Sequence, residues 1–290
     1  MSTFLELLKA ILFGIVEGIT EWLPVSSTGH IILLDEFIKL KISPAFYDMF
    51  EIVIQLGAIL AVIVLFFHKL NPFSGKKNPE QKKDTWQLWF KVVAAVIPSA
   101  VIGLLLDDPI DSFLRGTSVM GTSLNAIVVA AALILYGIAF IAVEKKNGEK
   151  GFQITDVSQI TYKTALLIGA FQCLSIIPGT SRSGATILGA ILLGVARPAG
   201  AEFSFFLAIP TMLGASALKL VDYLMEGVQA TGTEIGVLLV GCVVSFVVSL
   251  LVIKGLMEYV RKHSFSVFGV YRIILGVLVL GYFAVKALVI

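Results

Sequence analysis

The sequence predicts an all-α integral membrane protein: six transmembrane helices plus two re-entrant helix hairpins, arranged as an inverted repeat. Three observations carry this. The chain has 290 residues, 57% of them hydrophobic and only 14% charged, with a mean hydropathy of +0.94; soluble domains are nearer half apolar and a quarter charged. Six stretches are apolar over the roughly 20 residues that a helix needs to cross a bilayer. Two further apolar regions are broken by polar loops and resemble each other at a constant offset. This composition excludes a disordered chain, a disulfide-rich scaffold and a soluble nucleic-acid binder. Net charge is only +2, and Cys173 and Cys242 lie in separate apolar runs without metal-ligand spacing. They read as packing groups.

The first element covers residues 3–40. It runs through Glu17, Glu21, Pro24 and a Ser-Ser-Thr-Gly-His stretch to a short apolar piece, Ile31 to Leu34. Glu6, Lys9, Glu17 and Glu21 interrupt it where a signal peptide needs an unbroken apolar core and a small-residue cleavage site, so the segment is expected to be retained. Neither half is comfortably long enough to span alone, which makes the pair a re-entrant hairpin. Spans follow at 45–68, 86–106 and 118–143, completing a first repeat over 1–143. A linker at 144–163 leads to a second repeat over 164–290. Residues 160–196 repeat the hairpin plan through Gln172, Pro178 and a Gly-Thr-Ser-Arg-Ser-Gly stretch, and the last spans are 199–221, 234–257 and 266–288. Backbone that is not helical survives at membrane depth only where protein or a wet cavity satisfies it, so both loops should line a cavity.

The repeat rests on matched positions. Gly14 and Gly169, Glu17 and Gln172, Ser26 and Ser181, Thr28 and Ser183, and Gly29 and Gly184 are each 155 residues apart. Leu56-Gly57-Ala58 recurs as Leu213-Gly214-Ala215 at an offset of 157. Three spans per repeat is an odd number, so the second copy enters the membrane inverted. Inverted repeats place their site near the midplane, where broken helices of both halves converge.

Orientation follows from the basic residues. The 69–84, 144–163 and 258–265 loops carry eleven: Lys69, Lys76, Lys77, Lys82, Lys83, Lys145, Lys146, Lys150, Lys163, Arg261 and Lys262. The 107–117 loop has Arg115 alone against Asp107, Asp108 and Asp111, and the 222–233 loop has none beside Asp222 and Glu226. The basic loops share one face, read as cytoplasmic, and both termini then lie outside. Lys9, Lys39 and Lys41 run against this assignment without reversing it.

Ionisable groups inside apolar segments are functional hypotheses by default. Glu17 and Glu21 are four apart and share a helix face; two carboxylates there repel unless a cation or a shared proton relieves them. Mg²⁺ or Ca²⁺ does this, and Mg²⁺ commonly takes one or two carboxylates plus phosphate oxygens. Ser26, Ser27 and Thr28 open a helix whose free N–H groups can hold an anion. His30, in its first turns, is placed to act as base, acid or nucleophile. In the second loop Gly179, Thr180, Ser181, Ser183 and Thr186 surround Arg182, whose guanidinium matches phosphate geometry. The alternative for Arg182 is an ion pair with Glu17 or Glu21 across the repeat interface. Asp48 and Glu51 read as interfacial caps, the 69–84 charges as a solvated loop, and no Walker A pattern supports nucleotide binding.

Gly-Ile-Val-Glu17-Gly-Ile-Thr-Glu21-Trp-Leu-Pro-Val-Ser-Ser-Thr-Gly-His30 is similar to the glutamate-rich signature of the undecaprenyl-diphosphate phosphatase (bacitracin-resistance) family. Pro178-Gly-Thr-Ser-Arg182-Ser-Gly-Ala-Thr186 resembles its second signature. The resemblance extends over essentially the whole chain, including Phe46-Tyr-Asp-Met-Phe-Glu-Ile-Val-Ile-Gln-Leu-Gly, with no departure at the charged motif positions. It implies a phosphatase of the bacterial plasma membrane that removes the terminal phosphate of undecaprenyl diphosphate and recycles the lipid carrier of wall synthesis. It also implies that Glu17, Glu21, Ser27, His30 and Arg182 are essential and that a divalent metal is required. A homodimer is left open.

Two functions stand at this point. In metal-assisted hydrolysis, Glu17 and Glu21 hold the cation, Arg182 and the tip N–H groups clamp the phosphate, and Ser27 attacks with His30 as its base, in preference to attack by His30 or water. In a transporter or flippase, the same broken helices form only an anion site. Two carboxylates and a histidine beside hydroxyls exceed what anion binding needs and favour hydrolysis. The two tips should meet near mid-membrane, in a cavity that opens to the outer face.

Overall fold

The computed structural model describes the backbone of residues 2–116, 118–119, 122–148 and 151–289. These are helical apart from short loops and one antiparallel pair of two-residue strands, Ser118–Val119 with Thr122–Ser123. Among the described residues, six helical stretches are long and apolar enough to cross a membrane: Pro44–Leu65, Pro79–Leu106, Leu124–Asn147, Arg197–Met225, Gly232–Lys262 and Ser266–Lys286. Each coincides with one span expected from the sequence.

The first hairpin is α1 (Ser2–Thr20) and α2 (Ser27–Phe37). The next span is broken at Ile54 into α3 (Pro44–Val53) and α4 (Gln55–Leu65), followed by the short α5 (Phe67–Leu70). Then come α6 (Pro79–Gly116) and α7 (Leu124–Gly148). The second hairpin is α8 (Tyr162–Gln172), a 3₁₀ turn at Cys173–Ile176, and α9 (Arg182–Leu192). The last spans are α10 (Arg197–Met225), α11 (Gly232–Lys262) and α12 (Ser266–Val289). Two expectations shift. At 19 residues, and so about 28 Å, α1 is longer than a short half-hairpin. The helix α6 continues past Pro98 and Pro109 through a segment expected to be a loop, because a proline removes one backbone hydrogen bond and kinks a helix without having to end it. The side chains of Asp107, Asp108, Asp111 and Arg115, and residue Lys150, lie outside the described residues.

The hairpins pack crosswise. Helix α1 lies along α11 and α8 along α6, while α7 pairs with α12, α3 with α10, and α4 with α11 and, less extensively, α10. The matched glycines make these approaches possible. A Cβ at Gly14 would sit 2.7 Å from the Gly241 carbonyl oxygen of α11, and one at Gly169 would sit 2.0 Å from that of Ala95 on α6. The Leu-Gly-Ala pair has no such common role: Gly57 abuts Cys242, whereas Gly214 faces open space.

Side-chain ties sort the ends of the helices into two faces. Thr3 bonds Thr233, Ser43 donates to Glu234, and Lys286 and Tyr282 both reach Glu36. On the other face Arg197 donates from Nε to Glu144 Oε1 and from Nη2 to Oε2, Oε1 also accepts from the Phe265 N–H, and Lys69 pairs with Glu202 at 2.5 Å. Both ends of the first hairpin lie on the first face. Both ends of the second lie on the basic face, where Gly194 accepts from Gln153 and Ile154.

Candidate active site

The last turn of α1 delivers two carboxylates to one place: the Glu21 N–H still bonds the Glu17 carbonyl at 3.0 Å, so both side chains follow helical spacing. Beyond it the chain turns through Pro24 to Ser26. This serine and Ser181 are the two non-glycine residues with positive φ among the described residues, at 75° and 70°. Such backbone costs on the order of 1–3 kcal/mol at each position and persists only where its surroundings enforce it. Each serine caps the helix behind it: Ser26 Oγ accepts from the Gly29 N–H at 3.2 Å, and Ser181 Oγ from the Gly184 N–H at 3.1 Å.

The two tips meet through Glu21. Arg182 Nη2 donates to Glu21 Oε1 at 2.6 Å, and Ser27 Oγ donates to Glu21 Oε2 at 2.6 Å. Ser183 Oγ crosses to the Glu21 carbonyl at 2.9 Å. The ion pair weighed as an alternative for Arg182 is therefore present, and it leaves Arg182 Nη1 buried without a partner. Glu17, 1% exposed, keeps Oε1 unpartnered as well. The side chains gathered at Glu21 and the cavity thus leave one guanidinium donor and one carboxylate oxygen unused.

Ser27, Thr28 and Glu17 line a cavity of about 280 Å³ together with Asp48, Glu51, Gln55, Ser175, Pro178, Ile110 and Lys219. Glu21 and Arg182 stand behind Ser27, joined to it by the hydrogen bonds just given. The lining takes Asp48 and Glu51 from α3, whose N-terminal end is tied to Glu234 through Ser43, and Lys219 from the C-terminal half of α10.

His30 is elsewhere. Its Nδ1 lies 2.7 Å from the Ser26 carbonyl oxygen, its Nε2 lies 2.6 Å from the Tyr271 hydroxyl, and its ring is parallel to that of Tyr271, edge to edge, with centroids 5.7 Å apart. The expected Ser27–His30 pair is not formed, because Ser27 is the first residue of α2 and its hydroxyl is drawn back across the turn to Glu21. Among the other expected binding residues, Thr28 faces the cavity. Thr186 bonds Ser204 at 2.6 Å and packs α9 on α10, and Thr180 is fully buried. The Gly179 carbonyl accepts from Arg272, so it too serves the tip's architecture.

Arg272 went unnoticed in the sequence. Fully buried on α12, it donates from Nη1 to the Pro24 carbonyl at 3.1 Å and from Nη2 to those of Gly179 and Thr180 at 2.8 and 3.0 Å. It thereby fastens both tips from behind, with Tyr136 5.5 Å from its guanidinium carbon. The rule that flags Glu17, that an ionisable residue within an apolar span needs a reason, applies equally to Arg272 and to Lys219.

The family model for "Bacitracin resistance protein BacA" matches residues 10–278. The chain belongs to the BacA family. Similar relatives include "Undecaprenyl-diphosphatase 1" of Clostridioides difficile, 60% identical over 98% of this chain and 99% of its own length. "Undecaprenyl-diphosphatase" of Latilactobacillus sakei is 57% identical and that of Enterococcus faecalis 56%, each over 96% of this chain and 98% of its own length. Together with its six apolar helices, membership makes this BacA chain a multi-pass membrane protein. The donor set of the BacA site suits a hard divalent cation. Glu17 has an unpartnered buried oxygen, and no three acidic, histidine or cysteine side chains converge among the described residues. Mg²⁺ is commonly held this way, by few carboxylates with phosphate oxygens completing its shell.

Proposed function

We propose that this chain hydrolyses undecaprenyl diphosphate to undecaprenyl phosphate and inorganic phosphate, returning the lipid carrier to wall synthesis and so conferring bacitracin resistance. The observation that carries the proposal is the hydrogen-bonded chain Ser27–Glu21–Arg182 beside a cavity that Glu17 also lines. The printed names of relatives at 56–60% identity over nearly the whole chain support the substrate.

Ser27 Oγ attacks the terminal phosphorus while its proton passes to Glu21 Oε2, 2.6 Å away. The Oγ–P bond forms as the bridging P–O bond breaks, and undecaprenyl phosphate leaves. Water then attacks the phosphoserine phosphorus, the Oγ–P bond breaks as Glu21 returns its proton to Ser27 Oγ, and the water's protons leave with inorganic phosphate. Arg182 turns its unused Nη1 toward the phosphoryl oxygens, where the transition state gathers charge. Glu17 and a spare lone pair of Glu21 would hold Mg²⁺ or Ca²⁺; when bound, the cation neutralises phosphate oxygens.

We also read the hairpins as re-entrant and the two halves as an inverted repeat in the bacterial plasma membrane, with termini and cavity outside. This is supported by the crosswise packing of α1 and α8, the matched glycines and strained serines, and the concentration of basic loops opposite the cavity. The experiment is phosphate release from undecaprenyl diphosphate by the purified chain in detergent. Release should require Mg²⁺ or Ca²⁺, stop with EDTA, and vanish in Ser27→Ala. Folded protein that releases no phosphate under either metal overturns the proposal.

A further inference from the structure

His30 carries the titratable ring closest to Ser27 in sequence, yet both of its nitrogens are engaged away from that hydroxyl. The Ser26 carbonyl can only accept, so Nδ1 carries the hydrogen at 2.7 Å, and in the neutral ring Nε2 then accepts from the Tyr271 hydroxyl at 2.6 Å. The rings are parallel within 2°. Ser26, whose carbonyl His30 holds, is the strained residue directly before Ser27. His30 does not line the cavity, and Ser27 already has a proton acceptor in Glu21.

The second tip shows what this arrangement is for. Ser181 has the same strained backbone and the same serine cap, but its carbonyl accepts only the Ala185 N–H, at 2.9 Å. Position 185 is the counterpart of His30, and Arg182 is the counterpart of Ser27. A long guanidinium finds its target through its own torsions. A serine hydroxyl has a single rotor and a reach of one bond, so it depends on the backbone that presents it.

We propose that His30 and Tyr271 are positioning residues: the Tyr271 hydroxyl fixes the imidazole, and Nδ1–H holds the Ser26 carbonyl so that Ser27 stays aimed at Glu21. This rests on the hydrolase reading above and takes the role of base away from His30. The amide nitrogen of asparagine occupies nearly the place of Nδ1, whereas that of glutamine occupies the place of Nε2. A positioning role therefore predicts a rescue that a general base cannot show.

The test measures phosphate release from undecaprenyl diphosphate, with thermal midpoints in detergent, for the parent, His30→Asn, His30→Gln, His30→Ala and Tyr271→Phe. His30→Asn should stay within roughly tenfold of the parent, while His30→Ala and His30→Gln lose about a hundredfold or more, the scale at which catalytic geometry or a base is felt. Tyr271→Phe keeps the neighbouring ring but removes the hydroxyl that bonds Nε2, and should lower kcat about three- to tenfold with KM unchanged. A parent that releases no phosphate overturns the hydrolase reading and this inference with it. An active parent with His30→Asn as inactive as His30→Ala overturns the inference alone, as does full activity in His30→Ala or in Tyr271→Phe.

Discussion

Arg182 joins two tasks that the sequence presented as alternatives. One nitrogen holds Glu21 at 2.6 Å and the other is left without a partner, so the side chain braces the tip and still has a donor to offer. Only a forked cation can do both. Arg182→Lys should therefore keep the ion pair and the thermal midpoint but lower kcat roughly a hundredfold, the usual cost of one transition-state donor. Arg182→Ala should lower both, because it strands the buried Glu21 oxygen. Phosphate-release rates and melting in detergent separate the two; a lysine variant as active as the parent would remove Arg182 from the chemistry. At this scale the sequence singles out Glu17, Glu21, Ser27 and Arg182, which the structure gathers around Glu21 and the cavity, since charges and hydroxyls in apolar surroundings are conspicuous. It does not show that Ser27 and His30 face apart: the Ser27 hydroxyl turns back to Glu21, while the His30 ring bonds the Ser26 carbonyl and the Tyr271 hydroxyl.

Helix contacts explain both what was legible and what was not. Span positions follow from apolar length alone, which is why six of six are found. Which helix touches which is not written in hydropathy. Nothing in residues 266–288 announces that α12 passes behind both tips, so Arg272 could not be assigned a partner. The pairing of α8 with α6 has a direct test at Gly169. A Cβ there lies 2.0 Å from the Ala95 carbonyl oxygen, a backbone atom that cannot rotate away. Gly169→Val should cost about 2 kcal/mol or more, since overpacking of this kind typically costs 1–3, and should lower the thermal midpoint. Gly214→Ala, with nothing within 4 Å of the added carbon, should leave it unchanged. Equal midpoints for the two would contradict the packing described for α8.

Across the whole molecule, opposite faces carry different chemistry. Basic loops and the Glu144–Arg197 and Lys69–Glu202 pairs hold one face, and the cavity leads to the other. With Cys173 and Cys242 replaced by alanine, a single cysteine at Lys219 should react with an impermeant thiol reagent applied outside intact cells. One at Lys82 should react only after the membrane is opened; the reverse pattern would invert the orientation. The crosswise packing also bears on how such a protein is made. Glu21 and Ser27 leave the ribosome first, Arg182 more than half a chain later, and Arg272 near the end. Helix α1 meets its most extensive partner only when α11 is synthesised, and the tips, tied to each other through Glu21, gain the Arg272 clasp only when α12 enters the membrane. A nascent or truncated chain therefore holds the reactive side chains without the arrangement that makes them an enzyme, and activity arrives only with the final helix.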